Sequence, residues 1–154
     1  MASIRHEIVI DAPPEQVWDV LRDVGAVHER LLPRRVADSR IEGGQRILTF
    51  PDGHVVRELI VAVDDATRRL AYSVIEGARP PADYHHASFE VLPESRRGSR
   101  LIWTTDVLPH ALAARIRIIM ERGAIDMKEA IEAAAPASAD LGTQPGYESL
   151  PADE

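Results

Sequence analysis

From Val36 to Leu108 the chain repeats one pattern, a strand-length run rich in apolar and β-branched residues closed by a turn, and that stretch leads directly into one long helical stripe. The runs are Val36 to Glu42 before Gly43-Gly44, Arg46 to Phe50 before Pro51-Asp52-Gly53, and Val55 to Val63 before Asp64-Asp65-Ala66-Thr67. Arg69 to Ile75 precedes a longer connection from Glu76 to Asp83, and a last pair, Tyr84 to Leu92 and Arg100 to Leu108, is joined by Pro93 to Ser99. Glycine, proline and aspartate in the connections are turn formers. Parallel neighbours need crossovers of roughly a dozen residues or more, so strands joined this tightly pair antiparallel as a meander.

One strand and two short helical segments precede the meander. Ile4 to Asp11 alternates with Ile4, Ile8 and Ile10 on one parity. Asp11-Ala12-Pro13-Pro14-Glu15 reads as a helix entrance, because proline is tolerated in a first turn whose N–H groups have no helical partner and Glu15 suits the positive end. Val17, Trp18, Val20, Leu21 and Val24 give that helix its apolar face, and Val27 to Leu32 forms a second segment stopped by Pro33. The long helix runs from about Pro109 or His110 to Ala135, with a stripe of Leu112, Ile116, Ile119, Gly123, Met127 and Ala130. Arg117 with Glu121, Arg122 with Asp126 and Lys128 with Glu132 are spaced as surface pairs worth about 0.2–0.5 kcal/mol each. Residues 1–136 are expected to form one α+β domain, and 137–154, with little periodicity, a flexible tail.

Composition narrows the chemistry. A chain of 154 residues supports one core but no second substrate domain. With 18 basic against 25 acidic side chains the formal charge is −7, which argues against a nucleic-acid surface. The absence of cysteine excludes disulfides, thiol nucleophiles, thiolate zinc and iron–sulfur sites. No apolar run reaches the roughly 18 residues of a spanning helix and the start lacks a signal-peptide stretch, so no stable membrane insertion is expected and the cytoplasm is the expected compartment. Neither cofactor nor metal is implied: His85 and His86, adjacent on a strand, point to opposite faces, and Gly43-Gly44 lacks the rest of a phosphate loop. Ser88, His86 and Asp106 lack a nucleophile elbow, and nothing separates monomer from homodimer.

Strand parity supplies the candidate site residues. Val56, Glu58 and Ile60 share a face, so Glu58 is a candidate buried carboxylate able to anchor a ligand or transfer a proton, with an exposed strand position as the plain alternative. Tyr84, His86, Ser88 and Glu90 share one parity of their strand, and Thr104 and Asp106 one parity of the next. His86 is the second candidate acid or base, as an imidazole able to donate to a ligand or transfer a proton, while Tyr84, Thr104 and Asp106 are candidate orienting groups. Trp18 and His28 lie on the helices expected to cover one mouth of the sheet, and Ile119 and Gly123 on the stripe that faces it. Both faces of the strands carry apolar groups, and a β-bulge would reverse a parity assignment.

Ala12-Pro13 before Val17-Trp18, Glu58 before Asp64-Asp65, Leu70-Ala71-Tyr72-Ser73, Asp83-Tyr84, Arg100-Leu101-Ile102-Trp103 and the long terminal helix together resemble the bacterial polyketide cyclase/dehydrase-type branch of the START/Bet v 1-like (SRPBCC) superfamily, over about residues 3–135. The resemblance implies a helix-grip fold, a curved seven-stranded antiparallel sheet around a C-terminal helix with two short helices after the first strand, enclosing a hydrophobic cavity. By likeness to the related plant hormone receptors, Glu58, Tyr84 and His86 would face that cavity, with Thr104 and Asp106 compatible. The leading expectation is binding of a small apolar or aromatic molecule, as carrier, sensor or sequestering protein. The alternatives are a cyclase or dehydratase using Glu58 or His86 as acid or base, and a protein-interaction or co-chaperone-like module. The Glu76 to Pro81 connection reads either as a cavity gate or as a rigid turn.

Overall fold

The computed structural model describes residues 2–135; the expected tail lies outside the described residues. Seven strands, β1 (Ala2–Ile10), β2 (Asp38–Glu42), β3 (Gln45–Thr49), β4 (Val55–Asp64), β5 (Arg69–Glu76), β6 (Tyr84–Glu94) and β7 (Gly98–Leu108), form one sheet of order β1-β7-β6-β5-β4-β3-β2. Every neighbouring pair is antiparallel. The meander is therefore β2 to β7 in sequence order, and β1 returns to pair with β7 because helix α1 (Pro14–Arg22) and the turn after it carry the chain across to the far edge. The second helical segment is a single π-helical turn, Val27–Leu31, in which the Leu32 N–H reaches the Val27 carbonyl at 2.8 Å. This is the helix-grip fold, with the long helix α2 (Ala113–Ala134) in the concave side of the sheet and a short 3-10 turn, His110–Leu112, leading into it.

Helix α2 buries Ile116, Met120, Gly123, Ala124, Met127 and Ile131. The buried face thus includes Met120, Ala124 and Ile131 rather than Ile119 and Ala130, which lie at its margin, and the difference is a rotation of the stripe around the helix axis. Of the three expected surface pairs along the helix, Lys128–Glu132 forms at 2.7 Å. Asp126 instead turns to Arg35, which comes from the chain after the π-helical turn. Lys128 Nζ also donates to the Val9 carbonyl, and the Asp11 N–H to Glu132, which ties the helix to the end of β1.

The sheet bends most at β4. Its pairing with β5 slips between Arg57 and Glu58 and again between Ile60 and Ala62, and each irregularity adds local twist and curvature. The connection after β5 is fixed at Gly77, whose φ of +80° is the left-handed region and where a Cβ would stand 2.2 Å from the Val55 carbonyl oxygen. Gly77→Ala should therefore cost about 2 kcal/mol or more and lower Tm by roughly 5 °C or more in thermal unfolding, and an unchanged Tm would refute this close approach.

Candidate functional site

Sheet curvature and the position of α2 leave a cavity of about 280 Å³ between them. That is at the small end of the roughly 300–1,000 Å³ usual for small-molecule sites. Leu48, Val56, Val74, Ile116, Met120 and Met127 make most of its wall apolar. Solvent-exposed lining residues mark its opening: Ile119 on α2, Arg35 and Arg79.

One wall is polar. Arg46 on β3 and Glu58 on β4 are direct cross-strand partners, and Arg46 Nε donates to Glu58 Oε1 at 2.7 Å with only 5% and 7% of the two side chains exposed. The Arg46 guanidinium lies over the ring of Tyr72 on β5, 5.2 Å from its centroid. Burial, reinforced by the charge of Glu58, pushes the Tyr72 phenol above its ordinary value, so it stays protonated and available as a donor. The Arg46 charge, and after it the nearby Trp103 N–H, counter this without reversing it. Three adjacent strands thus place a cation, a carboxylate and a phenol in one patch.

Beside the patch runs a row of stacked rings: Tyr72 and Phe89 with centroids 6.1 Å apart, then Phe89 and Trp103 at 4.9 Å. Trp103 packs under Gly123, where a Cβ would come within 3.2 Å of the indole, so the helix glycine accommodates the tryptophan. Trp103 Nε1 and Thr105 Oγ1 are buried without a hydrogen-bond partner among the described residues. His85 also lines the cavity. Burial pushes its imidazole below the ordinary value, with His86 adding to the effect, so the ring is neutral at pH 7 and can accept a proton.

The connection after β5 is clasped to the β3–β4 turn. His54 Nε2 donates to the Gly77 carbonyl at 2.7 Å, Arg79 pairs with Asp52 at 2.7 Å, and the Arg79 guanidinium sits 5.4 Å from the Phe50 ring centroid. Arg79, Ala78 and Phe50 line the cavity, so this clasp forms part of its rim.

Among the expected site residues, Glu58, Ile119 and Gly123 line the cavity. Tyr84, His86, Thr104 and Asp106 do not, and their placement is corrected: Phe89 and Trp103 face inward, which turns the residues of opposite parity to the convex side, where Tyr84 is 48% exposed. Trp18 and His28 also lie off the cavity. Trp18 donates through Nε1 to Asp65 at 2.8 Å, pinning α1 to the β4–β5 turn together with Arg22, and His28 Nδ1 lies 2.6 Å from Ser39 Oγ, holding the π-helical turn to β2. The residues overlooked in the sequence are Arg46, Tyr72, His85 and Trp103. The signal for His85 and Trp103 was the apolar weight of their parities, Ala87-Phe89-Val91 and Leu101-Trp103, and for Arg46 its alternation with Leu48. Among the described residues no group of 3 or more His, Cys, Asp or Glu is placed to hold a metal ion, and no helix is long and apolar enough to cross a membrane.

A curved antiparallel sheet closed by a long helix over an apolar cavity with one charged wall defines the class, the helix-grip proteins of the START/Bet v 1-like superfamily. The chain belongs to the family described as polyketide cyclase / dehydrase and lipid transport, which matches residues 1–135. Among solved structures, XoxI from Bacillus cereus is similar at 23% identity and TM-score 0.73, over 94% of this chain and 100% of that one. An uncharacterised protein from Bacillus thuringiensis is similar at 22% identity and TM-score 0.73, over 86% and 98%. Norcoclaurine synthase from Thalictrum flavum, in complex with dopamine and hydroxybenzaldehyde, is similar at 25% identity and TM-score 0.67, over 86% and 84%. No curated protein matches the sequence.

Two outcomes follow from the buried pair and from His85. Arg46→Leu leaves the Glu58 carboxylate buried without its cation and should destabilise the fold by about 3–5 kcal/mol in urea unfolding, whereas Arg46→Leu with Glu58→Leu should recover most of that loss. For His85, the unfolded chain binds a proton more readily than the folded one. The stability linked to it is complete above about pH 6.5 and is lost as the pH falls from there through the lowered folded-state value. Between pH 7 and pH 5 the Tm of the wild type should fall more steeply than that of His85→Gln, and parallel profiles would contradict a buried neutral His85.

Proposed function

We propose that the protein binds a small, mainly apolar aromatic molecule inside the helix-grip cavity, with the polar end of the molecule against Arg46, Glu58 and Tyr72. The observation that carries this reading is the composition of the cavity, whose aliphatic walls remove an apolar body from water while one buried patch sets its orientation. The row of Tyr72, Phe89 and Trp103 puts aromatic side chains in the cavity wall beside that patch.

Acid–base chemistry on a bound carbonyl compound is the second reading, and the likeness to norcoclaurine synthase favours it over simple carriage. The observation within this chain is His85, a neutral imidazole on the cavity wall. In this reading His85 takes the role expected of His86: it removes a proton from the carbon next to a carbonyl, the electron pair moves into the carbonyl oxygen, and donors such as the Tyr72 hydroxyl and Arg46 stabilise that oxygen. Glu58 is the second candidate base on the same wall.

Binding and turnover separate in one set of measurements. Hydroxybenzaldehyde should bind the wild type in calorimetric titration, and Val74→Trp, which fills the cavity from β5, should weaken binding at least about tenfold; unchanged affinity would place the ligand elsewhere. With a ketone probe such as phenylacetone in deuterated water, protein-dependent exchange of the protons beside the carbonyl that is lost in His85→Gln supports catalysis. Binding without exchange supports carriage or sensing.

A further inference from the structure

The pairing of Arg46 with Glu58 is incomplete in a way that selects a ligand group. The hydrogen bond of the pair uses only Nε of Arg46 and Oε1 of Glu58, and both residues line the cavity together with Tyr72. Buried charged groups are ordinarily saturated with hydrogen bonds, because each unmet donor or acceptor retains its desolvation cost. The patch presents donors beside one acceptor. A group that fits must accept from Arg46 or Tyr72 and donate to Glu58 at the same time. Charge decides between the candidates that bring an oxygen: a ligand carboxylate satisfies Arg46 but stands against the second oxygen of Glu58, and an ether or ketone leaves that oxygen unmet. A neutral hydroxyl satisfies both.

Resting on the cavity reading above, we propose that the Arg46–Glu58 pair is a recognition site for a neutral aromatic hydroxyl, a phenol or naphthol, whose O–H donates to the second Glu58 oxygen and whose oxygen accepts from the Arg46 terminal nitrogens. The aromatic carrier follows from two features. A phenolic O–H is a stronger donor to a carboxylate than an alcohol, and the stacked row of Tyr72, Phe89 and Trp103 lies next to the patch. The pair therefore discriminates against an aromatic acid as well as against an unsubstituted ring.

Three probes of one size test this: 2-naphthol, 2-methylnaphthalene and 2-naphthoate, titrated calorimetrically at pH 7 into the wild type and into Arg46→Met with Glu58→Leu. The wild type should bind 2-naphthol at least about tenfold tighter than 2-methylnaphthalene, the scale of one hydrogen bond to a charged group, and tighter than 2-naphthoate. In the double variant the two neutral probes should bind within about twofold of each other. If both neutral probes bind the wild type equally, the cavity reading stands and the hydroxyl site is overturned. If 2-naphthoate binds tightest, Arg46 acts as a simple anion site and the proposal is likewise overturned. If none of the probes binds, the cavity reading fails and the proposal with it. The wild-type series decides the matter even where the double variant does not fold.

Discussion

Helix α2 packs along β1 and, at Gly123, leaves room for the Trp103 indole that rises from β7. A side chain there would press on the ring at 3.2 Å, so the indole fits beneath the helix because residue 123 has none. Glycine inside a helix costs about 1 kcal/mol relative to alanine, and here that cost goes into the depth of one contact. Away from it the sheet curves off through the irregularities of β4, and side chains such as Val56, Val74 and Leu48 do not extend far enough to fill the space. The cavity lies between a helix packed along β1, with one indole fitted under it, and a sheet that bends away through β4.

That geometry explains why an ion pair is found in an apolar interior. Arg46 and Glu58 sit opposite one another on β3 and β4, where the pleat turns both inward, and neither reaches bulk water. Replacing such a pair by apolar residues is often neutral or stabilising, so its presence is weak evidence for stability and points to a role in the cavity. The other polar contacts around the molecule have a different character. Trp18 and Arg22 on Asp65, and Lys128 and Asp11 on Glu132, fasten helices to the sheet at its rim and use their groups on protein partners. Tyr72 and His85 share the interior with the pair, and burial shifts each toward its neutral form. The wall therefore combines fixed charge with neutral groups able to donate or accept a proton.

The order of the strands and the long helix were legible because turn chemistry and hydrophobic period act locally, and the meander leaves few ways to pair. Glu58 was legible for the same reason: Val56 and Ile60 on its parity are the apolar flank of an inward-facing position. The faces of β6 and β7 were not. Tyr84, His86, Thr104 and Asp106 carry more recognisable chemistry than His85, Trp103 and Thr105, but the inward side is decided by where Phe89 and Trp103 find burial, a property of the packed sheet rather than of either strand. Arg46 was obscured differently. An arginine among apolar residues reads as a surface charge until its cross-strand partner is known, and register places Glu58 opposite it.

The central claim is that an aromatic molecule enters between the sheet and α2, and the most direct test is intermolecular nuclear Overhauser contact between a bound aromatic probe and assigned methyl groups. Contacts to Leu48, Val56, Val74 and Met127 are the predicted result, since these methyls face the cavity. Contacts confined to Leu59, Val61 and Ile75, exposed apolar side chains that do not line the cavity, would contradict the account and leave the interior without a ligand.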